Sequence, residues 1–165
     1  RDEVVNPMDT LAVFVLQFSL SLVVWGLIAK WLLAPWLEKK SPHNALFWLT
    51  LPHAFRYMGM VFLVPGVVAQ PLPAAFAIPA AYGALVTGVL ALLALIALRT
   101  GWVGALVLVW LFNIVGTVDL LNALRQANVV VNFGAAWYIP TLFVPLLLVT
   151  HFMIFVRLLR RARPN

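Results

Sequence analysis

Long apolar runs, broken by short polar or proline-bearing stretches, dominate the chain from Leu11 to Leu158. A membrane-spanning α-helix needs about 20 mostly apolar residues. Runs of that order occur at about 11–37, 53–69, 82–98, 102–124 and 137–158. The first ends at Glu38-Lys39-Lys40, the second follows Pro52, and the third is closed by Arg99-Thr100-Gly101. Between the first two, SPHNALFWLT is too short to span and suits a brief interfacial helix or turn. The pattern predicts an all-α polytopic bundle of about five transmembrane helices in one domain, 11–160. A polar tail at 1–10 precedes it, and a basic tail at 161–165 follows.

Composition turns that pattern into a statement about solvent. Hydrophobic residues make up 64% of the 165 and charged residues 10%, whereas a soluble domain is about half apolar and about a quarter charged. Lipid must therefore be the solvent for much of this surface. Cysteine is absent, which excludes a disulfide framework, a thiol nucleophile and Cys-ligated metal. The net charge of +6 lies beside apolar segments rather than on a polar domain, so anionic headgroups, not nucleic acid, are the expected partner. The first residues lack the basic region and small-residue cleavage site of a secretory signal. RDEVVNP, ahead of Met8, reads as an expression remnant or a native tail.

Basic residues set the orientation, because cytoplasmic loops carry the excess of Lys and Arg. With five spans and the N-terminus outside, Lys30, Lys39, Lys40, Arg56, Arg99, Arg157, Arg160, Arg161 and Arg163 fall inside, and only Arg1 and Arg125 outside. Trp31, Trp36, Trp48 and Trp102 then mark the inner interface, and Tyr82, Trp137 and Tyr138 the outer. The expected topology is N-out, C-in, in a bacterial inner membrane.

A few polar residues interrupt the apolar runs. On an α-helix starting near Pro52, His53, Arg56, Tyr57 and Met60 share one face. Arg56 is close enough to the helix end to snorkel, so it reads either as an interfacial anchor or as the anion-binding member of a pocket. His53 would be that pocket's proton-handling group. Asp119 is deeper and too short to snorkel. Asn122 lies one turn further along and Gly116 one turn back, where a glycine lets another helix approach. Asp119 reads as a functional carboxylate, or as a structural one, protonated or paired with Arg125. The fifth run carries Tyr138, Pro140, Thr141, Pro145, Thr150 and His151, and its prolines are expected to kink it. The uncharged stretch QPLPAAFAIPAAYG, with Pro71, Pro73 and Pro79, is expected to be an outer connection acting as a gate or lid, or a plain interfacial turn.

A haem b held by His53 and His151 is the minority cofactor reading. At about 1.5 Å per residue the two lie at different depths, one a few ångströms and the other about 10 Å inside the boundary. No HxxxH or HExxH spacing supports another metal.

PHAFRYMGMVFL followed by LPAAFAIPAAYG resembles a group of uncharacterised bacterial multi-pass membrane proteins. Their pattern is a His-x-x-Arg helix start and then Leu-Pro-Ala-x-Phe-Ala-x-Pro-Ala-x-x-Gly-Asp. His53, Arg56, Leu72, Pro73, Ala74, Phe76, Ala77, Pro79, Ala80 and Gly83 match. Ala84 departs from it, standing where the group has Asp. The resemblance implies an inner membrane and no particular reaction.

These features favour a membrane protein that binds or passes a small solute or lipophilic ligand, with proton linkage. Asp119, Asn122 and Tyr138 would line the outer half of its pocket, and His53, Arg56, Tyr57 and His151 the inner half. Five thin helices enclose little room, so a homo-oligomer or a complex is expected. One rival is an assembly subunit without its own site. Another is a redox or lipid-modifying enzyme, although no nucleophile–base arrangement points to hydrolysis.

Overall fold

The computed structural model describes residues 7–161, and all of its regular structure is helical. The expected roles of Arg1 and Arg163, and most of both tails, fall outside the described residues. The first run forms α1 (Pro7–Ile28), a π-helical turn at Ala29–Leu33 and α2 (Ala34–Glu38). A short turn leads to α3 (Pro42–Thr50) and a 3-10 helix, Leu51–Leu63. Then come α4 (Ala74–Thr100) and α5 (Ala105–Leu124). Two 3-10 turns, Ala127–Asn132 and Gly134–Trp137, and a π-helical turn, Ile139–Phe143, lead into α6 (Val144–Arg161). Among the described residues, four helical stretches are long and apolar enough to cross a membrane: Asp9–Glu38, Ala74–Thr100, Ala105–Leu124 and Gly134–Arg161.

The expected α-helix at 53–69 is replaced by the 3-10 helix, which continues directly from α3. Proline at position 52 has no N–H to give an α-helical ladder. Runs of 3-10 helix beyond three or four residues are uncommon, so tertiary packing must hold this one of 13 residues. At about 2.0 Å per residue it extends about 26 Å. With α3 at its start it carries the chain from one core cluster to the other: Leu46 and Leu49 belong to the first, Phe62 to the second. Its partner is α4, and the contact is made by small residues. A Cβ on Gly59 would stand 2.7 Å from that of Ala84, and one on Gly88 would stand 3.3 Å from the Tyr57 backbone nitrogen. Close backbone approach through Gly and Ala is how helices associate where lipid offers no hydrophobic drive.

The helix expected at 82 begins at Ala74, so most of the supposed outer connection is the first turns of α4. Ala-rich sequence favours helix, and Pro79 lies inside it. The true connection, 64–73, is tied to the segment before α6. Ala69 N–H donates to Asn132 O (2.9 Å), Ala135 N–H to Val67 O (2.9 Å), and Asn132 Nδ2 to Pro71 O (3.0 Å).

Two prolines account for the two π-turns. Ala34 N–H bonds to Ala29 O and Val144 N–H to Ile139 O, each spanning five residues, and each donor immediately precedes a proline, Pro35 or Pro145. A proline ring clashes with the carbonyl four residues back. A local wide turn accommodates such a residue within a continuous helix.

One end of the bundle gathers Leu37, Leu46, Leu98, Ala105 and Leu158. The other gathers Phe14, Phe62, Phe76, Val130 and Phe133. Lys39, Lys40, Arg99, Arg160 and Arg161 follow Leu37, Leu98 or Leu158 of the first cluster closely in sequence, which makes that end the basic one.

Candidate functional site

The 3-10 helix has three residues per turn, so positions i and i+3 fall on one line. Thr50, just before it, and His53, Arg56, Gly59 and Phe62 are all buried on that line. Tyr57, at i+4 from His53, is rotated away and 51% exposed. The α-helical face expected to hold His53, Arg56 and Tyr57 together therefore loses Tyr57 and gains Gly59 and Phe62.

Arg56 is the hub. Nη1 donates to Gly116 O (3.1 Å) and stands 3.3 Å from His151 Nε2. Nη2 donates to Asp119 Oδ2 in a salt bridge, the only one among the described residues. The counter-ion of Asp119 is thus Arg56, not Arg125. The 3-10 register aims the guanidinium across the bundle at α5, whereas Arg125 lies at the helix end. Two glycines make room for this network. A Cβ on Gly83 would collide with the Asp119 carboxylate, and one on Gly116 would stand 2.6 Å from Thr87 Cγ2 and 2.8 Å from His151 Nε2.

Partners settle the tautomer of His151. Asn113 Nδ2 donates to the His151 backbone carbonyl (3.3 Å), which turns Asn113 Oδ1 toward His151 Nδ1 at 2.6 Å. Nδ1 therefore donates and Nε2 accepts from Arg56. His53 Nε2 meets Thr150 Oγ1 at 2.9 Å. The threonine hydroxyl gives its proton to Leu146 O (2.9 Å), so it accepts from His53. That leaves His53 Nδ1 as an acceptor, and it and Thr50 Oγ1 are buried without a protein partner. The two imidazoles stand with ring centroids 4.0 Å apart, against Phe112 at 5.3 and 5.8 Å.

The depth gap expected between His53 and His151 does not exist. α6 presents Thr150 and His151 at the level where the 3-10 helix presents His53 and Arg56. Axial imidazoles hold iron between nitrogens about 4 Å apart, with a macrocycle filling the gap. Here the rings themselves are in contact, and this arrangement does not fit a haem between them.

Asp119 and Arg56 also form the polar wall of a cavity of about 70 Å³. All its other lining side chains are apolar, among them Phe14, Met58, Phe62, Phe76, Leu120 and Phe143. Half-exposed Met58 marks where the cavity approaches the bundle surface. Ala84 lines it too, so the position where the resembling group has Asp faces this same space.

The structure thus brings His53, Arg56, Asp119 and His151 together. Asn122 is exposed on α5, and Tyr138 is 72% exposed before α6. Pro71 and Pro73 lie in the tied connection and Pro79 in α4, none of them in this cluster. Asn113 and Thr150 complete the network without having been assigned a role. Asn113 was open to detection, one turn before Gly116 on the same face of α5.

No curated protein and no solved structure matches the chain. A family model described as a domain of unknown function, DUF8737, matches residues 13–159 and so takes in the whole buried network, and the chain belongs to that family.

Proposed function

We propose that this chain is a five-span inner-membrane protein of a bacterium, N-terminus out and C-terminus in, that binds the hydroxyl- or carbonyl-bearing end of a neutral lipophile beside the Arg56–Asp119 pair. The carrying observation is a single ion pair set into an otherwise apolar cavity wall. Binding pockets combine apolar lining with a few convergent polar groups. The guanidinium already has its counter-charge, so a carboxylate ligand would leave an uncompensated buried charge costing several kcal/mol. A carbonyl can accept from Nε–H or the second Nη2 proton left on the pair, and a hydroxyl can do the same or donate to Asp119 Oδ1. The cavity is smaller than one of about 150 Å³, which accommodates benzene. It therefore takes the end of a lipophile, with the remainder passing out beside Met58 into lipid.

Support for the topology comes from α3 and the 3-10 helix acting as the fifth traverse, and from cations collected at one end. A reporter fused after Arg161 should read as cytoplasmic, and one inserted between Arg125 and Trp137 as periplasmic; the opposite reading at either point would sink this orientation.

The test of binding uses a diazirine-bearing fatty alcohol and its carboxylate counterpart on the purified protein. The alcohol should label peptides containing residues 56–62 and 119–124 more strongly than the carboxylate does. Arg56→Met with Asp119→Leu should abolish that preference while the protein stays assembled, since an apolar replacement of a buried pair is often neutral. Equal labelling by both probes, unchanged by the double variant, would favour the rival reading: the pair simply pins the 3-10 helix to α5 in an assembly subunit.

A further inference from the structure

At the basic end, Glu38 of α2, Lys40, and Arg157, Arg160 and Arg161 of α6 border a cleft of about 270 Å³. Pro42 and Leu46 of α3 complete it with Leu37, and both leucines are fully buried. The cleft therefore has a sealed apolar floor and a charged rim. On α6, positions 157, 160 and 161 share one face. Like charges so spaced repel one another by a few tenths of a kcal/mol per pair. Four cations face one carboxylate, and among the described residues none of them has a carboxylate within 4.0 Å. The cations come from two segments more than a hundred residues apart, so folding assembles this density of charge. Orientation in the membrane requires only that cations lie on the right side; it does not require that they converge.

Beside the cleft, Trp36 and Trp48 stack edge to face with centroids 5.5 Å apart, and Lys40 Nζ stands 4.8 Å from the Trp36 ring. Such rings prefer the depth of lipid headgroups. Arginine presents a planar fork that matches phosphate oxygens, and basic pockets between membrane helices bind anionic headgroups.

We infer that this cleft is a specific site for the phosphodiester headgroup of an anionic phospholipid, held between Lys40 and the arginine face of α6. This site is independent of the Arg56–Asp119 cavity, which lies toward the other end.

The test is native mass spectrometry of the purified full chain with phosphatidylglycerol and with phosphatidylcholine of identical acyl chains. The parent should retain phosphatidylglycerol preferentially. Lys40→Gln/Arg157→Gln/Arg160→Gln should weaken that binding about tenfold or more, whereas Lys30→Gln/Lys39→Gln/Arg99→Gln, with the same charge change outside the cleft, should weaken it less than about threefold. Because Arg157 is half-buried, Lys40→Gln/Arg160→Gln serves as a second variant on exposed positions, and about a fivefold loss is expected. Equal losses in the cleft and control variants would overturn the proposal and leave only general attraction to a basic surface. So would equal retention of the two lipids. Displacement of phosphatidylglycerol by inorganic phosphate at millimolar concentration would assign the cleft to the free anion and overturn the lipid identity.

Discussion

α1 and α4 both belong to helical stretches long and apolar enough to cross a membrane, yet 6% of an 18-residue window in Asp9–Glu38 and 50% of one in Ala74–Thr100 is buried in the bundle. The difference lies in residue size. The buried face of α4 carries Ala77, Ala80, Ala84, Thr87, Gly88, Ala91 and Ala94, which admit the 3-10 helix at backbone distance. α1 presents Val15, Leu16, Leu20, Val23 and Val24 outward, and is held at a few points: Phe14 against Trp137, Gln17 Oε1 accepting from Trp137 Nε1 (2.7 Å), and Trp25 Nε1 donating to Leu142 O (3.1 Å). Hydropathy says that a helix enters lipid. Side-chain size decides whether it enters the protein as well.

The comparison can be broken at several strengths. The largest effect is expected at the charge network that α4 and the 3-10 helix enclose. Asp119→Leu alone strands Arg56 and should destabilise the protein by about 3–5 kcal/mol, read as thermal unfolding in detergent, while the Arg56→Met/Asp119→Leu pair should cost far less. If the single and double variants unfold together, the two residues are not coupled. Next comes overpacking. Gly83→Ala drives a methyl into the Asp119 carboxylate and should cost about 1–3 kcal/mol; full parental stability would mean that the carboxylate has room to move.

A smaller effect is expected at Asn113→Leu, which removes the acceptor facing His151 Nδ1. Interhelical hydrogen bonds in membranes average about 0.6 kcal/mol, so a modest drop in stability is expected. It should come with an altered His151 ring environment by NMR; an unchanged spectrum would contradict the assigned tautomer. The smallest belongs to α1, where Val23→Ala on the exposed face should change stability by no more than about 0.5 kcal/mol. A large loss there would show that α1 packs against something other than lipid.

The resembling segments illustrate how far motif reading carries. His53 and Arg56 were legible as a pair because both break an apolar run. His151 is legible as a member of the same half-pocket and Asp119 as a buried carboxylate, but their direct pairing with Arg56 is not, because they lie 95 and 63 residues away and depth counted along ideal α-helices sets His151 apart from His53. An α-helical period puts Tyr57 on the same face as His53, and the three-residue period of the 3-10 helix turns it outward. The run 70–83 reads as a connection because three prolines punctuate it, although Pro79 lies inside α4, where packing against neighbouring segments tolerates an interior proline.

By itself the sequence determined the all-helical class, the helices long and apolar enough to cross a membrane and the polar residues that interrupt them. These follow from composition and from run length against bilayer thickness, which are local and additive properties. Tertiary structure decided the helical period of 51–63, the partner of Asp119, the contact of two imidazoles and the convergence of cations at the basic end. Each of these depends on which small residues let two backbones approach, and that is a property of pairs of segments that no single segment carries.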